Sequence, residues 1–125
     1  MRSVSSIVGF AGATSGSLMV NTSEEGACFM AGRMIGEELN RVDTAVLDGI
    51  CEITNIIAGQ TKAILSTTEH KFERISIPSV VVGSSYFVSH YRGMNSVSVD
   101  FELPEMPIQP RCDYSLTVSI SLMKV

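Results

Sequence analysis

The chain has 125 residues, enough for one domain that buries a single core without disulfide or metal staples. Its 45% hydrophobic and 18% charged content exclude a disordered chain. A net charge of −4 and a pI near 5.0 argue against nucleic acid as a main partner, because phosphate backbones call for clustered Lys and Arg and no such cluster is present.

No run of about 18 apolar residues occurs, so no transmembrane helix and no membrane partner are expected. The opening MRSVSSIVGFAGATSG has the outline of a secretory signal, but glycines and serines interrupt its apolar part and an alternating segment follows, so it reads as structure. Ser5 to Phe10 and Ser17 to Val20 are expected as short strands joined by AGATSG, whose glycines suit a hairpin turn. A glycine-rich loop also cradles phosphate in some proteins, but here no GK[ST] follows and a strand comes next instead of a helix.

Thr22, Ser23, Glu24 and Glu25 form a capping-box sequence that starts a helix. Its apolar positions, Ala27, Met30, Ala31, Met34 and Ile35, follow the 3.6 period and are assigned to the core. Gly36, Glu37 and Glu38 lead into a brief connection, after which Asp43, or Asn40 before it, caps the next helix.

Val42 to Ser66, VDTAVLDGICEITNIIAGQTKAILS, is the longest stretch with helical periodicity. At about 100° per residue, Asp48, Glu52, Asn55, Gly59, Lys62 and Ser66 fall in a narrow strip. Opposite lie Val46, Ile50, Ile53, Ile57 and Ile64, flanked by Leu47, Cys51, Ala58 and Leu65, so the helix is expected to be largely buried and to show water one thin line. That line is not an ordinary solvated face of Lys and Glu pairs. It holds carboxylates, an uncharged amide and then a glycine, which costs about 1 kcal/mol of helix propensity and leaves backbone open to close approach. Glu52 and Asn55, three residues apart, project side by side from adjacent turns.

After Ser66 the TTEHK segment breaks the helix. Phe72 to Ile77 and Ser79 to Val82 are β-branched and interrupted by Pro78, which implies an edge strand, a bulge or a bend. Ser96 to Leu103 alternates, with Val97, Val99, Phe101 and Leu103 on one side and Ser96, Ser98, Asp100 and Glu102 on the other. Pro104, Pro107 and Pro110 enforce an extended connection. Tyr114, Leu116, Val118, Ile120 and Leu122 form the apolar side of the last strand. One covered and one wetter face per strand, with two helices as the available cover, gives an α+β fold: a mostly antiparallel sheet with one long central helix and a second, shorter helix packed on it.

Cys28, Cys51 and Cys112 are odd in number and widely spaced, with no CxxC and no His at ligand spacing, so no metal site is expected and a reducing cytoplasm fits. His70 and His90 lie in polar connections and read as surface residues.

DGICEITN gives DxxxExxN, and the first proline after Asn55 is Pro78, with twenty-two residues between them. With the ISIPSVVVG run around Pro78 and the SEEGACFMAGRMIGEE segment ahead of the helix, this arrangement resembles the CheC/CheX family of bacterial chemotaxis phosphatases over nearly the whole chain. The resemblance implies a pseudo-duplicated fold that opens with a long helix, whereas this sequence starts directly at the first hairpin: either the domain has lost that helix or the chain is trimmed at its N-terminus. An apolar surface that such a helix covers would then need another partner, and a homodimer is expected.

The resemblance further implies that the substrate is the aspartyl phosphate of a CheY-like response regulator, that Asn55 orients the attacking water, and that Glu52 pairs with the regulator's lysine. Asp48 matches the acidic or serine position of the family pattern and, with Gly59 and Lys62, is assigned to partner binding. No cofactor is expected in this chain, since the phosphorylated regulator brings its own Mg²⁺. Two other readings stay open: a non-catalytic module that docks a regulator or flagellar-switch component, and a dimerisation domain whose polar stripe is merely solvated.

Overall fold

Val4, Val8 and Phe10, with Ser6 between the first two, fall on one side of the first strand at the two-residue period, and Leu18 and Val20 do the same on the second. In the computed structural model, which describes residues 3–83, 94–103 and 115–123, these positions are fully or almost fully buried. They belong to β1 (Val4–Gly12) and β2 (Ser15–Thr22), a hairpin longer than the sequence suggests: Ala11 already pairs with Ser15, leaving a tight turn.

Two helices follow, α1 (Glu24–Ile35) and α2 (Thr44–Leu65), then β3 (Phe72–Ile75), β4 (Ser79–Val82), β5 (Met94–Glu102) and β6 (Ser115–Met123). The strands make one sheet in the order β3-β1-β2-β6-β5, with β4 also on β1, and every described pairing is antiparallel. This is the expected α+β fold.

β3 and β4 occupy the same edge of β1, as two halves of one broken strand. Phe10 to Ile7 is three steps on β1, whereas their partners Ile75 to Ser79 are four steps apart, so one residue is extra and the edge bulges. Pro78, which has no N–H to give the ladder, sits in that interval, and Ser76 fills in: its N–H donates to the Gly9 carbonyl at 2.9 Å and its Oγ accepts from the Gly9 N–H at 2.8 Å.

α1 starts one residue later than the capping box predicts. β2 claims Thr22, and Ser23 becomes the N-cap, its Oγ accepting from Gly26 N–H at 3.0 Å. The third helical position is then Gly26, so the reciprocal carboxylate of a capping box is lost, while Glu24 and Glu25 still stand favourably in the first turn of the helix dipole. Gly36, at φ 74°, closes the helix in the left-handed conformation, its N–H donating to the Gly32 carbonyl. Asp43 caps α2, accepting from Val46 N–H at 3.3 Å.

The core has two clusters beneath α2. Val4, Ala27, Cys28, Ala31, Val46 and Ile50 fill the part between the helices and the start of β1. Val8, Phe10, Leu18, Val20, Ala58 and Phe72 fill the part under the C-terminal half of α2, where the Phe10 and Phe72 rings stack with centroids 4.9 Å apart. α1 and α2 approach closely because Gly49 faces Ala31: a Cβ built at Gly49 would lie 2.6 Å from that of Ala31.

Three expectations about cover do not hold. Met34 and Ile35 are exposed, because the last turn of α1 runs past what it packs on, and Ile64 near the end of α2 is exposed for the same reason. The apolar side of β5 is uncovered too, with Val97 63% exposed. α2 lies across β1 and reaches β2, β3 and β4; Leu116, Val118, Ile120 and Leu122 of β6 pack half-buried against the core cluster beneath it, and β5 lies one strand further out. Leu103, just past β5, is half-buried and approaches Gly26. The proline-rich connection, Tyr114, His90 and Cys112 lie outside the described residues.

Candidate functional site

α2 is held from below at almost every turn. Val46, Ile50 and Ala58 are fully buried, and Thr54, also fully buried, satisfies its hydroxyl within the helix by donating to the Ile50 carbonyl at 2.7 Å. Thr61 makes the same bond to Ile57 at 2.8 Å. A helix pinned along this side has a fixed opposite side, and Asp48, Glu52, Asn55 and Gly59 all lie there, exposed. Lys62, half-buried, stands three residues beyond Gly59 at the end of the line. All five residues assigned from the sequence are thus brought onto one side of a single element.

Glu52 and Asn55 are neighbours on adjacent turns, which puts their Cβ atoms about 5–6 Å apart. Among the described residues neither side chain has a hydrogen-bond or ion-pair partner. A carboxylate acceptor and an amide that both donates and accepts are therefore offered together to an outside molecule.

Cysteine chemistry is not available nearby. Burial, and secondarily the Asp48 carboxylate, push the Cys51 thiol up from its ordinary range. Cys28 is raised by burial first and then by Glu24, Asp43 and Glu25. Since the thiolate is the nucleophile, both are held in their less reactive form. Among the described residues no group of three or more His, Cys, Asp or Glu is placed to hold a metal ion. His70 is spent locally, its Nε2 lying 3.1 Å from the Met123 carbonyl. No described helix is long and apolar enough to cross a membrane.

The water-facing side of α2 is broader than the thin line expected. At 1.5 Å per residue the twelve residues of α1 span about 18 Å and the twenty-two of α2 about 33 Å, so α1 flanks roughly half of its neighbour. Past that half no described helix covers the flank, and Ile56 emerges beside Asn55, 48% exposed. Sequence reasoning passed over Ile56, although its position four residues after Glu52 places it next to the polar line.

The class these features define is an α+β protein in which an antiparallel sheet carries a long helix whose exposed side presents a carboxylate and an amide. The model of the family Chemotaxis phosphatase CheX matches residues 4–102, and the chain belongs to this family. Among solved structures, the CheX of Borrelia burgdorferi, in a CheX–CheY–BeF₃–Mg²⁺ complex, is similar at 28% identity and a TM-score of 0.81, over 99% of this chain and 78% of that one. The chemotaxis protein CheX from Vibrio vulnificus is similar at 26% identity and TM-score 0.79, over 97% of this chain and 75% of that one. A chemotaxis protein CheX from Desulfovibrio desulfuricans gives 26% and 0.78 over the same shares. No curated protein matches the sequence.

Proposed function

We propose that the chain is a phosphatase that hydrolyses the aspartyl phosphate of a CheY-like response regulator, with Glu52 and Asn55 as its catalytic pair. The observation that carries this reading is the pair itself: two polar groups without partners of their own among the described residues, projecting side by side from a helix whose other side is locked into the core. Membership of a chemotaxis phosphatase family and the solved complex of the Borrelia relative with CheY support it. The beryllofluoride in that complex stands in for a phosphoryl group.

An acyl phosphate is already activated, so what remains is to place water in line with phosphorus and to tolerate the charge on the phosphoryl oxygens. Asn55 suits the first task because an amide accepts one hydrogen from the water and donates to a neighbouring oxygen, and the second because it brings no negative charge. Glu52 pairs with the regulator's lysine and fixes the approach, with Asp48 and Lys62 as flanking contacts on the partner surface. The Mg²⁺ comes with the regulator, and this chain contributes no cofactor.

Phosphate release from a phosphorylated regulator, together with affinity for its beryllofluoride-activated form, separates the two roles. Asn55→Ala removes a group used in the transition state, so release falls by about 10²–10³ while affinity stays close to normal. Glu52→Ala weakens affinity, more so at low salt, because exposed charge pairs are screened as ionic strength rises. Undiminished release by Asn55→Ala would sink the catalytic assignment and leave a regulator-docking module in its place.

A further inference from the structure

The glycines of the two helices differ in what surrounds them. A Cβ at Gly26 would collide with Thr22, one at Gly32 would lie 2.5 Å from the Glu37 carbonyl oxygen, and one at Gly49 would strike Ala31. Each has a reason inside the fold. Gly59 has none among the described residues: nothing there lies within 4 Å of the Cβ it lacks, and its backbone is not in the left-handed region. A glycine in an exposed helix interior costs about 1 kcal/mol of helix propensity, and no packing within the described residues offsets that cost.

Ile56 presents a second such case. It is exposed on a helix where Ile53 and Ile57 are half-buried and Ile50 is fully buried, and it stands between Glu52 and Gly59 at helical spacings of four and three residues. An apolar side chain and a patch of bare backbone thus border the Glu52 and Asn55 pair on one continuous surface.

We infer that Ile56, with the bare backbone at Gly59 beside it, is the contact that determines which phosphorylated regulators this chain accepts. The inference rests on the phosphatase reading, and its occupant is the same regulator: an apolar side chain at the rim of its phosphorylation site meets Ile56 while its backbone closes onto Gly59. The polar pair recognises features that every receiver of this kind must have, a phosphoryl group and a lysine. Discrimination between receivers therefore falls to the contact that chemistry leaves free to vary, and half of an isoleucine's surface is enough to change affinity about tenfold.

The test measures phosphate release against regulator concentration, and affinity for the beryllofluoride-activated form, over a small set of regulators. Ile56→Ala raises KM and Kd for the preferred regulator about tenfold, leaves kcat within about twofold, and narrows the kcat/KM ratio between preferred and poor regulators. Gly59→Ala weakens binding while raising the melting temperature by several degrees, since alanine is the better helix former and meets open space. Ile64→Ala, exposed two turns further on, changes neither. Unchanged affinity and selectivity in both the Ile56 and Gly59 variants overturns the inference alone, as does an Ile56→Ala effect confined to kcat. Wild-type protein that releases phosphate from no regulator overturns the reading beneath it.

Discussion

Replacing Ile50 by alanine measures how firmly the site is mounted. Ile50 is fully buried between Val46, Ala27, Ala31 and Val4, so all three carbons that the substitution removes come out of the core. At about 0.8 kcal/mol per buried methylene-sized group the transfer loss is roughly 2.4 kcal/mol, and the unfilled space brings the total to about 3–4 kcal/mol. Neighbours held by the Gly49–Ala31 contact cannot slide in to close the gap. Against a stability of about 5–15 kcal/mol that is a large share. Urea denaturation followed by circular dichroism should show a lower midpoint at an unchanged slope. Ile53→Ala and Ile57→Ala, half-buried, belong at the low end of the range, about 2 kcal/mol. Glu52→Ala and Asn55→Ala in the same assay should stay within about 0.5 kcal/mol, as exposed positions do. If the polar pair costs as much as Ile50, the pair is structural and the division of α2 into a mounted side and a working side is wrong.

Two further outcomes are expected. Gly49→Ala should destabilise by about 1–3 kcal/mol in thermal or chemical unfolding despite its better helix propensity, because the new methyl would meet Ala31; a neutral result would mean that the helices separate freely. The protein should also self-associate, since β5 has an unpaired edge among the described residues and an exposed apolar side in Val97, Val99 and Phe101. Sedimentation velocity at tens of micromolar tests this, and a monomer there would count against it.

Most of the architecture was legible because each clue was local. The 3.6 period and Asp43 located α2 to within two residues, alternation located β5 and β6, and Pro78 marked the broken edge. The errors share a cause: periodicity tells which residues stand on one side of an element, but not whether a neighbour reaches that far. Val97, Ile64 and Met34 were given to the core on pattern and are exposed because α2 does not span the sheet and helix ends overrun their contacts. The start of α1 slipped by one residue because the pairing of Thr22 with Val4 and Leu116 outweighs the capping preference. The site was legible as a set of types at a spacing. Ile56 was not, since only the length of α1 relative to α2 decides that this isoleucine meets water.

The extra residue between β3 and β4 bears on how copies of the chain assemble. A sheet with two smooth margins recruits at both, and identical units joined that way add without limit. Here one margin is offset by a residue and carries a proline, so a flat strand from another copy cannot lie along it in register. Among the described residues that leaves the outer side of β5, and units that join like margin to like margin stop at two. If copies join through β5, as expected above, the kink at Pro78 keeps such an assembly from extending at its other margin, and straightening it would open that margin to further copies.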